Sequence, residues 1–163
     1  MRFAVTALLA ATVVMASTGE SDDDDYYPQT RTVWVGGDLQ ISPQKLWANV
    51  GDKIEFHFLS GLHSVVEANY YDPCQHNGGF ASGHFSTDES DHQNSDVFVI
   101  EIVDDSPLWY YDGAGSECMD GAVGVINPPR DRSRTIEVFK RGASVESRSS
   151  NPIEHQGGSV ITL

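Results

Sequence analysis

The sequence predicts an all-β domain, an antiparallel sandwich or barrel, and three observations support this prediction. Most apolar residues fall in short runs that alternate with polar residues, which is the period of a strand with one buried face. Turn signals rich in Gly, Pro, Asp and Ser separate these runs. Little of the chain between them shows the spacing of a helix. Short strands joined by turns in this way are typical of sandwiches and barrels.

Six segments are predicted to be strands. In the clearest of them, Ile54, Phe56 and Phe58 alternate with polar residues and are expected to point into the core. The same alternation places His57 on the outer surface, so His57 is discounted as a metal ligand. Besides this segment (residues 52–59), the predicted strands are residues 31–37, 63–67, 97–103, 108–111 and 122–127.

Three segments depart from the strand pattern. Residues 68–96 are polar and show no period, which predicts a long loop that is functional or partly disordered. Further along, Ser133 is a plausible N-cap before apolar residues at helical spacing. This pattern predicts a short C-terminal helix, with a strand as the competing interpretation. Residues 144–163 are polar and are predicted to form a disordered tail.

The start of the chain has the features of a secretory leader, residues 1–16. Arg2 precedes a short apolar run, and small residues surround a cleavage site after Ala16. The run is too short for a comfortable membrane span; a buried first helix is the alternative. An acidic arm (residues 17–30), solvated or weakly cation-attracting, would then precede the β domain (residues 31–143). We expect a secreted, extracellular or cell-wall-associated protein with no integral membrane segment.

Charge and cysteine content narrow the possible functions. The formal net charge of −14 repels phosphate backbones and anionic membranes, which argues against nucleic-acid binding. The two cysteines, Cys74 and Cys118, most simply form one disulfide in an oxidising compartment. No nucleophile is seen beside a base, so we expect no enzyme activity.

Five segments, taken in order, resemble the secreted fungal cupredoxin-like proteins called extracellular serine-rich proteins, which are relatives of plant phytocyanins. These segments are VGDKIEFHF (50–58), GLHSVVEANYYDPC (61–74), GGFASG (78–83), FVIEIVDDSPLWYY (98–111) and CMDGAVGVINP (118–128). The resemblance covers most of the predicted domain. It implies a Greek-key cupredoxin sandwich, a mononuclear copper site, and a disulfide between Cys74 and Cys118.

The loop of residues 112–121, which we call the late loop, departs from the family pattern at the positions of the copper ligands. That pattern is Y-C-x4-H-C-x2-G-M-V, and residues 111–123 keep its spacing. However, Asp112 stands at the ligand cysteine, Glu117 at the ligand histidine, and Ala122 at the axial methionine. Of the four ligands that the resemblance implies, only His63 remains. A blue-copper centre depends on its thiolate, so we expect no type 1 copper.

Two interpretations of the loop remain open. In the first, His63, Asp112 and Glu117 hold one divalent ion, Cu(II) or Zn(II), because imidazole and carboxylate ligands suit these ions. This requires a neutral His63 with a free nitrogen. In the second, the site has decayed and the protein is a metal-free domain that binds a cell-wall component or a protein. Aromatic residues available for such binding are Trp47, Tyr70, Tyr71, Trp109, Tyr110 and Tyr111. Among the other histidines, His84 is expected nearest to the metal end.

Overall fold

The computed structural model describes residues 26–38 and 40–163. The predicted leader and most of the acidic arm lie outside these residues. The described part of the chain forms the strands β1 (Thr30–Val35), β2 (Ile41–Ser42), β3 (Lys45–Leu46), β4 (Lys53–Phe58), β5 (Gly61–His63), β6 (Val66–Asn69), β7 (Asp72–Ala81), β8 (Phe85–Thr87), β9 (Asp96–Glu101), β10 (Leu108–Tyr111), β11 (Val123–Ile126) and β12 (Ser159–Thr162), and the helix α1 (Ile136–Ala143). No helix in this part has the length and hydropathy that a membrane span needs.

The strands form two five-stranded sheets and a small ribbon. The first sheet has the order β12-β9-β4-β1-β2, the second has the order β3-β11-β10-β6-β7, and β5 pairs with β8. Most neighbours are antiparallel, while β1 runs parallel to β4 and β3 runs parallel to β11. This confirms the predicted fold class as an all-β sandwich with one short C-terminal helix.

The main core lies between the two sheets. Phe56 of the first sheet packs edge-on against Tyr110 of the second, with 5.3 Å between ring centroids, and lies 6.3 Å from Phe98. These side chains are fully buried. Burying such aromatic rings contributes on the order of 2 to 3 kcal/mol each, so this layer positions both sheets.

A second cluster lies on the outer face of the second sheet, where α1 covers it. Phe139 of α1 packs against Trp109 with 5.0 Å between ring centroids, and Phe139 is 1% exposed. The helix begins after Thr135, whose side-chain oxygen accepts from the Val138 amide at 3.3 Å. The predicted helix is therefore present, but its N-cap is Thr135 instead of Ser133. A threonine two positions later supplies the same capping oxygen.

Two segments predicted to lack regular structure contain strands. Within residues 68–96, β7 and β8 form, and the register between β6 and β7 shifts twice, which breaks the alternation that marks a strand in sequence. The prediction of a disordered tail at residues 144–163 is wrong, because β12 pairs with β9 at the sheet edge. Main-chain hydrogen bonds hold β12, and its side chains are exposed. The segment therefore lacks the alternation of apolar and polar residues that marks a strand with one buried face.

His57 lies on the outer face of its strand, as predicted, yet it is only 8% exposed. Trp34, its partner across the β1–β4 pair, covers the imidazole with 4.8 Å between ring centroids. The His57 Nε2 atom also lies 3.2 Å from a carboxylate oxygen of Glu55. The expectation of a surface histidine is therefore wrong, because a neighbouring indole shields the ring.

A buried carboxylate, Asp52, holds the chain leading into β1. It accepts hydrogen bonds from the Tyr26 hydroxyl, from the amides of Gln29 (2.6 Å) and Asn49 (3.0 Å), and from Arg31 Nε (3.0 Å). Burial raises the pKa of Asp52, but these donors lower it more, so the net pKa lies well below the ordinary range. The end of the predicted acidic arm is thus fixed to the sandwich.

Candidate functional site

The strand pairing brings His63 and Asp112 together at one end of the sandwich. His63 ends β5, and Asp112 directly follows β10. Tyr111 of β10 pairs with Val66 of β6, so the residue after Tyr111 lies beside the residues before Val66. His63 Nδ1 is 2.7 Å from Asp112 Oδ2, and both side chains are buried. The structure therefore joins two of the three predicted site residues in a buried, hydrogen-bonded pair.

The Asp112 carboxylate is fully occupied by donors from the protein. Its Oδ1 accepts from the amides of Ser64 and Ala114, each at 3.0 Å, while Oδ2 faces the imidazole. The side chain is 1% exposed. Because an unsatisfied buried donor costs about 1 to 3 kcal/mol, this carboxylate fixes both the start of the late loop and the chain after β5.

The His63 ring lies between two oxygen acceptors. Nδ1 faces the Asp112 carboxylate, and Nε2 lies 3.2 Å from the carbonyl oxygen of Ser60. A neutral imidazole has only one N–H, so both contacts are hydrogen bonds only when the ring is protonated. Burial lowers the pKa of His63, but the Asp112 bond and charge, the Ser60 carbonyl and the Glu117 charge raise it, and the net pKa is above its usual value.

Glu117 is placed near this pair without touching it. Its carboxylate forms no hydrogen bond or ion pair with His63 or Asp112 among the contacts of the described residues. Burial and the negative charge of Asp112 raise the pKa of Glu117, and the charge of His63 opposes them. The main chain of Glu117 instead shapes the loop, since its carbonyl accepts from the Ala122 amide at 2.9 Å.

The residues at this end do not fit a type 1 copper ion. Across residues 26–38 and 40–163, no three His, Cys, Asp or Glu side chains are grouped so that they could hold a metal ion. The thiolate position carries Asp112, and a protonated His63 has no lone pair to offer. His84 is exposed and lines a surface groove together with His155. The structure therefore brings together two hydrogen-bonded side chains, His63 and Asp112, at this end of the sandwich.

Two glycines pack against the open edge of the His63 ring. A Cβ atom at Gly36 would lie 2.6 Å from His63 Nε2, and one at Gly61 would lie 2.9 Å from it. Gly36 and Gly61 also adopt φ angles of 103° and 117°, which side chains rarely tolerate. Their positions at strand ends were visible in the sequence, but their contact with the histidine was not.

The chain after α1 closes over the late loop. The Ser64 hydroxyl donates to Asn151 Oδ1 at 2.9 Å and accepts from the Gly113 amide at 3.1 Å. The Ser149 hydroxyl donates to the Gly113 carbonyl at 3.1 Å. Short polar residues make these contacts, so apolar periodicity could not indicate them.

The predicted disulfide between Cys74 and Cys118 is present. It joins β7 to the late loop across 44 residues of chain, with 5.8 Å between the Cα atoms. Both cysteines are fully buried in the cluster beneath α1. Cys118 is therefore a structural residue and not a metal ligand.

Comparisons with known proteins found similar proteins of fungal origin. No protein-family model matches the chain. The chain is 29% identical over 133 residues to an extracellular serine-rich protein of the fungus Arthroderma benhamiae, and the alignment covers 81% of this chain and 52% of that protein. It is 27% identical over 124 residues to "Probable GPI-anchored cupredoxin-1" of the same species, covering 76% of this chain and 62% of that protein.

The chain thus spans about half to three fifths of the length of these curated relatives. Among solved structures, a pseudoazurin from Sinorhizobium meliltoi aligns with 73% of this chain and 98% of its own, at 13% identity and a TM-score of 0.39. The chain is thus similar to an extracellular protein and to a cupredoxin of this fungus over 76% to 81% of its own length.

Proposed function

We propose that the protein is a secreted or cell-surface binding domain in which a charged His63–Asp112 pair replaces the metal of a cupredoxin. The names of the two relatives, extracellular and GPI-anchored, support the location. The observation that carries the proposal is the position of the His63 ring between two oxygen acceptors.

A metal ion at His63 would have to displace a proton. Metal-binding imidazole is neutral and presents a lone pair, whereas the surroundings of His63 favour its protonated form. The ion would also compete with the bond between Nδ1 and Asp112 at 2.7 Å. Hydrogen bonds between charged groups are worth roughly 1.5 to 3 kcal/mol, so the pair opposes metal binding at this position.

The same geometry supports a non-enzymatic function. A histidine paired with an aspartate acts as a general base when its other nitrogen faces a hydroxyl or thiol nucleophile. Here Nε2 of His63 faces the Ser60 carbonyl, and the neighbouring hydroxyl of Ser64 is bonded to Asn151 and to the Gly113 amide. The pair therefore lacks a nucleophile to activate.

The competing candidate is a site for one divalent ion, Cu(II) or Zn(II), formed by His63, Asp112 and Glu117. The favouring observation is that His63 and Asp112 already converge and that the charges of Glu117 and His63 act on each other. In this candidate a shift of the Glu117 side chain toward the pair would complete an imidazole–carboxylate ligand set of the kind that Zn(II) accepts.

Metal titration and imidazole spectroscopy decide between the two. We expect nitrogen NMR at slightly acidic pH to show both His63 nitrogens protonated. Calorimetric titration with Cu(II) or Zn(II) should give the same affinity for the natural protein and for His63→Gln. A His84→Gln variant serves as control, because an exposed histidine is a common source of weak metal binding. One-to-one ion binding that is lost in His63→Gln and in Glu117→Gln would instead establish the metal site.

A further inference from the structure

A groove outside the His63 region concentrates positive charge. It has a volume of about 680 Å³ and lies between the end of β3 and the segment that joins β11 to α1. We call it the basic groove. Its charged and aromatic lining residues are Lys45, Trp47, Arg130, Arg132, Arg134 and Glu137.

The charge of this groove is opposite to that of the whole chain. The chain carries ten Lys and Arg residues and a net charge of −14, yet four of its cations line this one groove beside a single acid, Glu137. Glu137 is paired with Lys45 at 3.4 Å. Among the ion pairs of the described residues, none involves Arg130 or Arg132. Two guanidinium groups are therefore available to an anionic ligand.

Two nearby acids, Asp131 and Asp105, reduce this charge, but neither forms an ion pair with Arg130 or Arg132 among the described residues. The Asp131 carboxylate accepts from the Ser133 amide at 2.9 Å, and Asp105 lines the continuation of the groove toward β10. Arg134 is partly engaged, since its guanidinium lies 6.0 Å from the centre of the Tyr70 ring. Arg130 and Arg132 are thus the groups on which anion binding at this surface depends.

Trp47 adds a flat apolar surface beside these cations. Its side chain is 52% exposed, and the groove also includes Pro128 and Pro129. The main chain around it is fixed, because the Ala48 amide donates to Asn127 Oδ1 at 2.9 Å and the Asn127 amide donates to the Leu46 carbonyl at 2.8 Å. A fixed exposed indole can stack on a sugar ring, and guanidinium groups bind carboxylates in a bidentate manner.

The basic groove is separate from the His63–Asp112 pair. At the groove, the ends of β10 and β11 are flanked by Pro107 and Asn127. At the opposite ends, the same two strands are flanked by Asp112 and Ala122. Four-residue strands and their flanks separate the two regions by roughly 15 Å. A ligand in the groove would not contact the histidine.

We propose that the basic groove binds an acidic polysaccharide, a chain of uronate sugars, with Trp47 stacked on a sugar ring and Arg130 and Arg132 on carboxylates. The inference rests on the proposed binding function and names its ligand class. A nucleic-acid duplex carries about one charge per 1.7 Å of its axis, which is denser than one carboxylate per sugar, so the negative surface outside the groove opposes it more strongly than a short uronate chain. A membrane would need more exposed apolar surface than one indole provides.

The test is calorimetric titration with short oligogalacturonates, with the same oligomers as methyl esters for comparison, since esterification removes the charge and keeps the sugar. We expect the natural protein to bind the acid form and not the ester. Arg130→Gln/Arg132→Gln should weaken binding by about tenfold or more, since hydrogen bonds to charged groups are being removed. Trp47→Ala should weaken binding of the same oligomers, with circular dichroism to show that the sandwich remains folded.

The matched control is Lys53→Gln/Arg148→Gln, which removes the same charge from two exposed residues outside the groove. Its affinity for the acid oligomers should equal that of the natural protein. Equal binding of acid and ester, an equal loss in the control variant, or no binding of the acid form would each overturn the inference. None of these results would bear on the His63 proposal, because the metal titration and the nitrogen spectra decide it independently.

Discussion

The His63–Asp112 pair makes a quantitative prediction for the variant His63→Gln. Removing the imidazole leaves the Asp112 carboxylate buried and deprived of its only charged partner in the described contacts. Breaking a buried ion pair on one side costs about 3 to 5 kcal/mol. The amides of Ser64 and Ala114 still bond the carboxylate, so we expect a loss near the lower end, about 3 kcal/mol, at acidic to neutral pH.

Urea unfolding across a pH series measures this loss and its pH dependence. The pKa of His63 in the folded protein lies above its ordinary value of 6.5. The stabilisation by the protonated ring is therefore complete below pH 6.5 and is lost as pH rises through the folded pKa. The stability difference between the natural protein and His63→Gln should be largest near pH 6 and should shrink at higher pH. The remaining histidines are common to both proteins and cancel in the difference.

The variant His84→Gln provides the matched control, because this ring is exposed and its loss should change stability by less than about 0.5 kcal/mol. A loss below about 1 kcal/mol in His63→Gln, or a difference that stays constant across the pH series, would refute the reasoning. A difference that grows with pH would show that the ring is neutral in the folded protein.

Three further predictions concern packing, the disulfide and the N-terminal anchor. Gly36→Ala places a Cβ 2.6 Å from the histidine ring and should destabilise by about 2 kcal/mol or more, beyond the control Gly115→Ala, which also has positive φ but meets nothing within 4 Å. Replacing Cys74 and Cys118 by serine should cost about 4 kcal/mol in urea unfolding, the chain-entropy value for a loop of 44 residues. Asp52→Ala should lower the free energy of unfolding by about 2 to 4 kcal/mol. Below pH 3.8 this variant should lose less stability on acidification than the natural protein, because the folded pKa of the Asp52 carboxyl is lowered.

The sequence predicted strands that contribute side chains to the two apolar clusters. The run 108–111 coincides with β10, and the alternation of Ile54, Phe56 and Phe58 places β4 because these side chains fill the core. Periodicity reports burial, so it identifies strands that build the core. It does not identify β12, whose side chains are all exposed and whose pairing is made by the main chain.

The candidate site could be located from sequence, but its chemistry could not. Loop spacing placed Asp112 beside His63, and the structure joins them. Burial lowers the pKa of the His63 ring, while Asp112 and then the Ser60 carbonyl at the opposite nitrogen raise it. The Ser60 contact joins residues three apart and is set by the turn before β5. Spacing also placed Glu117 in the site, whereas its side chain stays outside hydrogen-bonding distance of the pair.

The late loop owes most of its shape to its main chain. The Asp112 amide donates to the Ala122 carbonyl, the Ala122 amide donates to the Glu117 carbonyl, and the Gly121 amide donates to the carbonyl of disulfide-bonded Cys118. None of these bonds depends on which side chain stands at 112, 117 or 122. Main-chain geometry and side-chain identity are therefore partly separable in this loop, most clearly at the half-buried Glu117. Asp112 differs, because its carboxylate also bonds the amides of Ser64 and Ala114. For protein engineering, the loop is a ready frame into which a different set of donor side chains can be installed.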